Sequence, residues 1–260
     1  MERNTRGTAE RAKIVDCDAA RRGKGRGKMK RTTGVLCMML FLGGGLTPGS
    51  AAAWNEGHLQ RLKTLNHCSG CDLVGADLAG ADLTGAYLSG AVLRGANLVG
   101  AILNAANLQS ADLSKADLAG ADLAKAKMNM AVLRETHLVA ANLNDANLQD
   151  AELNRARLSD ATMEKANLSG ATLTGADLRA TDLNAANLTR AFLREALLGG
   201  MNLTGADLTR ARLDEADLRG VILSGATWTD GSKCVEDAVG DCKASRSKAG
   251  EDAKTGDSKA

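Results

Sequence analysis

The sequence predicts an all-β solenoid, a chain wound into small stacked coils, and three observations lead there. The phrase Ala-(Asp or Asn)-Leu-x-x runs without a frame break from Cys71 to Asp230, 32 copies in all. Its central residue, counted from Leu73 in steps of five, is Leu in 29 copies, the exceptions being Met128, Met163 and Trp228. The residue two places earlier is Ala in 27, the exceptions being Cys71, Thr136, Thr181, Met201 and Val221. A period of five matches neither a helix of period 3.6 nor a strand of period 2, so the chain turns once per repeat with Ala and Leu inward. Gly ends 13 copies, where its tolerance of positive φ suits a corner.

Residues 71–230 resemble the pentapeptide repeat family. The resemblance implies a right-handed quadrilateral parallel β-helix with four pentapeptides per coil. Its 32 copies then make eight coils, and strands stacked at ~4.8 Å give a straight, loop-free rod roughly 40 Å long. A helical solenoid does not fit, because two-helix repeats need about 33 residues or more and a 3.6 pattern. Burial of Leu supplies most of the driving force, about 1.5–3 kcal/mol per side chain.

A stacked core needs caps at both ends. Before it, Asn55 is placed to cap a short N-terminal helix through about Leu65, with Leu59, Leu62 and Leu65 lying over the first coil. After it, Trp228 stands at the inward Leu position of the last copy as a core end cap. The flanks His58–Leu73 and Ala226–Lys243 are similar to the ends of exported bacterial pentapeptide repeat proteins.

Residues 1–53 read as a leader. Eleven Lys or Arg against four Asp or Glu precede an apolar run from Gly34 to Leu46, then Pro48, Ser50 and Ala51 to Ala53. That order of basic, apolar and small residues is a secretory signal peptide, with cleavage expected after Ala53. It exceeds the usual length by about the first 28 residues, so translation is expected to begin at Met29. The apolar run is shorter than the ~20 residues of a membrane span. The resulting organisation is leader 1–53, N-terminal cap 54–70, β-helix 71–230, Cys-containing cap 231–243 and a tail 244–260. The tail has no apolar residue larger than Ala and is expected to be disordered.

The exported part holds 22 Lys or Arg and 27 Asp or Glu, a formal charge of −5, with four cysteines. Four cysteines allow three pairings, but a rod of this length separates its ends far beyond the ~7 Å that a disulfide tolerates. Cys68 with Cys71 and Cys234 with Cys242 are the pairs left, and an oxidising compartment favours both. Cys68-Ser69-Gly70-Cys71 lacks the following His of a c-type haem site, the further ligands of a zinc site and the βαβ context of a redox dithiol. Paired or simply packed inward cysteines are the reading it supports, so no cofactor and no metal are expected. The Asp column is regular and interspersed with Lys and Arg, unlike an acid/base pair in contrasting environments. No catalytic triad, phosphate loop or nucleic-acid motif appears, and an enzyme is not expected.

Assigning the copies to four faces in turn, the fourth stacks Asn107, Asn147, Asn167 and Asn187 around Lys127, beside Thr189, Thr209 and Thr229. Such ladders stabilise stacked strands. The first face sets Val92, Val132 and Phe192 two residues before Arg94, Arg134 and Arg194, a stripe suited to a protein partner. One cytoplasmic branch of the family mimics DNA and protects type II topoisomerases. The repeats here carry 20 acidic and 14 basic residues, a far sparser field than DNA's one charge per ~1.7 Å. The expectation is therefore an exported, non-enzymatic, monomeric rod, periplasmic or secreted, that meets an unidentified protein of the cell envelope and neither nucleic acid nor membrane. The topoisomerase-protecting reading ranks second.

Overall fold

The computed structural model describes residues 55–242; the expected signal peptide, its alternative start at Met29 and the tail lie outside them. The repeat region is a parallel β-helix of 20 residues per coil. Every parallel bridge along it joins the second residue of one pentapeptide to the residue 20 further on, as in Asp72 to Val92 and Val92 to Asp112. Five residues make one side, four sides make one coil, and the sides stack into four faces that begin at residues 71, 76, 81 and 86.

Each backbone N–H of the pentapeptide has a destination, and that accounts for the motif. Along the first face the second residue donates back one coil, as Val92 does to the Cys71 carbonyl (2.8 Å). The third and fifth donate forward, as Leu73 does to Val92 (2.8 Å) and Gly75 to Arg94 (2.8 Å). The first closes the corner, as Ala76 does to the Leu73 carbonyl (3.0 Å). Only the fourth N–H lacks a backbone acceptor, and a short carboxylate or amide at the second position supplies one two residues back. All 17 Asp and Asn residues at that position do so, from Asp72 with Val74 (3.3 Å) to Asp217 with Arg219 (3.1 Å).

The corners are more demanding than the 13 glycines suggest. Every fifth residue from Gly75 to Gly225 has positive φ, including Lys125 (60°), Met130 (59°) and Glu195 (57°). With the hydrogen bond across it, this is the type II turn, which needs positive φ at its third residue. Stacking of both neighbouring coils holds non-Gly residues there despite the local strain.

Inside, the Leu and Ala columns are buried along the rod except at its ends, where Ala81, Leu213, Ala216 and Leu218 are partly buried. Thr136 and Thr181 occupy Ala positions and are buried, each hydroxyl donating to a Leu carbonyl one coil back, Leu113 and Leu158 (3.0 Å in both). The polar atom is thus satisfied rather than stranded.

The coil begins one side earlier than the sequence reading placed it. Asn66–Gly70 is already a regular side, with His67 bridged to Tyr87, Cys68 at the Leu position and Gly70 at a positive-φ corner (66°). The phrase was hidden because Asn66 replaces Ala and Cys68 replaces Leu. Helix α1 (Glu56–Leu65) precedes it, N-capped by Asn55, whose side chain accepts from His58 N–H (3.3 Å), and ended by Asn66 in the left-handed region. It lies across the end of the coil from Asp72, whose N–H donates to His58 Nδ1 (3.0 Å), to Thr84, whose carbonyl accepts from Asn66 Nδ2 (2.8 Å). Leu59 and Leu62 are buried beneath it, but Leu65 is 67% exposed, because the helix ends before its third leucine turns inward.

Candidate functional site

Both cysteine pairs are joined. Cys68–Cys71 links the Leu position of one side to the Ala position of the next with Cα atoms 5.2 Å apart, and Cys234–Cys242 closes the chain after the last repeat with Cα atoms 4.5 Å apart. Cys68 and Cys71 are fully enclosed in the core. Among the described residues, no group of three or more His, Cys, Asp or Glu is placed to hold a metal ion.

The second-position column of the first face runs Asp72, Val92, Asp112, Val132, Glu152, Thr172, Phe192, Arg212. The expected apolar and cationic stripe is therefore interrupted: Asp112 separates Val92 from Val132, and its arginines are not free. Arg94 pairs with Asp112 (3.5 Å), Arg134 with Glu152 (2.6 Å), and Arg194 with Glu195 (3.2 Å) and Glu215 (3.3 Å). These exposed pairs each contribute about 0–1 kcal/mol and order the surface more than they stabilise it.

The geometry adds a residue that sequence reading missed. Arg212 follows Phe192 by one coil, and its guanidinium lies 5.2 Å from the ring centroid. The signal was available as a spacing of 20, but Arg212 has no apolar residue beside it in its own repeat. Thr174, Phe192, Arg194, Arg212, Asp214 and Glu215 line a surface groove of about 450 Å³.

On the second face, each of two aspartates is clasped by an arginine two residues on. Hydrogen bonding from Arg219, at 2.6 Å from Nη2, lowers the Asp217 carboxyl to about 2, and Arg179 depresses Asp177 in the same way. The fourth-face ladder is as expected: Asn107, Lys127, Asn147, Asn167 and Asn187 are stacked, with Asn167 Nδ2 donating to Asn147 Oδ1 (3.2 Å).

Trp228 does not seal the rod. The chain after it doubles back and pairs antiparallel with the third and fourth faces, with Val239 bridged to Ile222 and Lys233 to Thr227. Trp228 itself is half-buried, and on the two uncovered faces Leu213, Ala216 and Leu218 are likewise half-buried instead of enclosed.

Comparison with known proteins agrees with the repeat. A family model for pentapeptide repeats matches in 8 copies, over residues 71–109, 101–138, 141–179 and 186–225. No curated protein matches significantly. Among solved structures, HetL, a pentapeptide repeat protein involved in heterocyst differentiation regulation from the cyanobacterium Nostoc sp. strain PCC 7120, is 31% identical. That alignment covers 68% of this chain and 98% of HetL, with a TM-score of 0.38. Rfr23 from the cyanobacterium Cyanothece 51142 is 25% identical, covering 66% and 98%, with a TM-score of 0.36. QnrB1, a plasmid-mediated fluoroquinolone resistance protein, is 27% identical, covering 58% and 76%, with a TM-score of 0.45. With more than half of its length matched by the repeat model, the chain belongs to the pentapeptide repeat family.

Proposed function

We propose that this protein is an exported, non-enzymatic rod, with the right-handed winding of its family, that binds another protein of the cell envelope through its first face. The observation that carries the reading is where the turn-forming residues have been given up. The second, third and fourth faces each keep five Asp or Asn residues bonded to the fourth N–H. The first face keeps two, Asp72 and Asp112. At six of its eight sides a bond worth about 0.5–1.5 kcal/mol is replaced by Val92, Val132, Glu152, Thr172, Phe192 or Arg212. Apolar, aromatic and Arg side chains on a rigid flat face are what contact surfaces use.

The leader's composition and the two cystines support export to an oxidising compartment. Cell fractionation with intact-mass analysis under non-reducing conditions tests it. A periplasmic species beginning near Trp54 and four hydrogens lighter than the reduced chain is expected from the two disulfides. A cytoplasmic, uncleaved, reduced species would overturn export and make a topoisomerase assay the next experiment. A photo-crosslinking residue in place of Val132 or Phe192 should capture a partner in the envelope, and the same residue in place of Thr162 on the third face should not.

A further inference from the structure

The last coil is finished on two sides and open on two. In the preceding coils, Leu198 apart, the third residue's N–H donates forward to the next coil, and in the last coil Leu223 and Trp228 find substitutes in the carbonyls of Ala238 (2.8 Å) and Ser232 (2.7 Å). On the first face there is no substitute: among the described residues, neither Leu213 N–H nor Glu215 N–H has an acceptor, and no N–H reaches the Ala211 carbonyl. Above this edge lies a recess of about 520 Å³ lined by Ala211, Arg212, Leu213, Asp214, Trp228 and Thr229. An unpaired strand edge, a half-buried Leu and an indole wall thus meet in one place. Arg212 is in no ion pair among the described residues, and neither is Asp214.

We propose that the edge from Ala211 to Glu215 is a docking site for an extended segment of a partner protein, which adds to it as a parallel strand. The register already used between coils dictates the segment's chemistry. Its residue beside Arg212 donates to the Ala211 carbonyl, accepts from Leu213 N–H and carries a carboxylate toward the guanidinium. The next residue points inward and is apolar, filling the recess between Leu213 and Trp228. The one after stands beside Asp214, is basic, and accepts from Glu215 N–H. Acid, apolar, base in that order is the pattern the edge fits.

Other occupants fit less well. A second copy pairing antiparallel through like edges would set Arg212 opposite Arg212 or Asp217 opposite Asp217, a repulsive arrangement in both cases, and pairing of unlike edges would set Arg212 opposite Asp217, whose carboxylate Arg219 already holds at 2.6 Å. The chain's own residues 243–260 contain no apolar side chain larger than Ala, so they offer nothing to fill the recess.

The site rests on the protein-binding reading above, but it is tested in isolation. Fluorescence anisotropy compares two short labelled peptides, one carrying Ala-Glu-Leu-Lys and the other Ala-Lys-Leu-Glu. Full-length protein should bind the first at least about tenfold tighter, and the double variant R212E/D214K should reverse the preference. Hydrogen exchange at Leu213 and Glu215 N–H should slow on binding. Failure of both peptides to bind, or equal binding of both, overturns the proposal. So does a dimer of the free protein that protects these amides, or protection already present in the monomer and lost when 243–260 is removed. If crosslinking from Val132 persists while the peptides fail, this site falls and the first-face reading stands.

Discussion

The two ends of the rod solve the same problem to different degrees. At the N-terminal end α1, ten residues or ~15 Å long, crosses the coil from the first face to the third. Beneath it Leu73, Leu78 and Leu83 are exposed by no more than 3%. At the C-terminal end the cap turns back over two faces, and Leu213, Ala216 and Leu218 remain half-buried. The helix satisfies its own backbone and so covers the coil chiefly with side chains, with one backbone bond from its N-cap, Asn55 N–H to the Asp72 carbonyl (3.3 Å). The C-terminal segment covers by strand pairing, so it reaches only as far as it is paired. The end closed by side chains leaves only Ala81 partly buried, whereas the end closed by hydrogen bonds leaves two sides of the coil so.

The largest test of that contrast is cavity formation. Leu153 lies at mid-rod with no exposure, and Leu153→Ala should cost about 2–5 kcal/mol in chemical denaturation. Leu73→Ala should fall in the same range because α1 makes the first coil equivalent to an interior one. Leu213→Ala should cost less, about 1–2 kcal/mol, since part of its side chain already meets water. Equal losses at Leu73 and Leu213 would mean that the C-terminal end is covered after all.

Next in size are the cystines. On loop-closure entropy, removing Cys234–Cys242 should cost about 2.5 kcal/mol and removing Cys68–Cys71 about 2 kcal/mol, the second closing the shorter loop. Their local consequences separate more sharply. Replacing Cys234 and Cys242 by Ala should speed hydrogen exchange at Leu223 and Trp228, whose N–H groups depend on the cap, and leave Leu73 unchanged, since its N–H donates to Val92.

The turn bonds give a smaller contrast. Three of the first coil's four sides, at Asp72, Asp77 and Asp82, carry the side-chain bond to the fourth N–H, and in the last coil only Asp217 does. Asp77→Ala should therefore lower stability by about 0.5–1.5 kcal/mol, while Thr227→Asp, which supplies a missing bond, should raise it by a fraction of that. Thermal denaturation of the two variants reads both signs.

The fold was legible in the sequence because a period of five admits few conformations, and because burial writes itself into two columns. The site was legible only in part. Phe192 and Arg194 stood out as neighbours in the chain, whereas Arg212 acquires meaning only from the residue 20 places before it. Trp228 read as a plug because a large ring at an inward position normally fills space. Whether a ring closes an end depends on how far the following chain travels, and here the turn at Gly231 (φ 87°) sends that chain back over the third and fourth faces. Leu65 failed for a similar reason, since helical spacing cannot say where the helix stops and Asn66 enters the coil.

The smallest effect is also the most local to the open end. Hydrogen bonds from Arg219 and its own N–H bring Asp217 from 3.8 to about 2. A carboxyl whose folded value lies below its unfolded one adds stability that is fully present above pH ~4 and is lost as pH falls from there through ~2. The group is exposed, so the global change should be slight. Carbon-detected NMR titration should find Asp217 still ionised at pH 3, below the ordinary aspartate midpoint of ~3.9. Arg219→Ala should return its midpoint toward 3.8 and leave Asp82 unaffected, because the Thr84 hydroxyl and N–H, not an arginine, depress that carboxyl at the closed end. A midpoint for Asp217 that ignores Arg219 would show that the clasp at the edge of the open coil does not persist in solution.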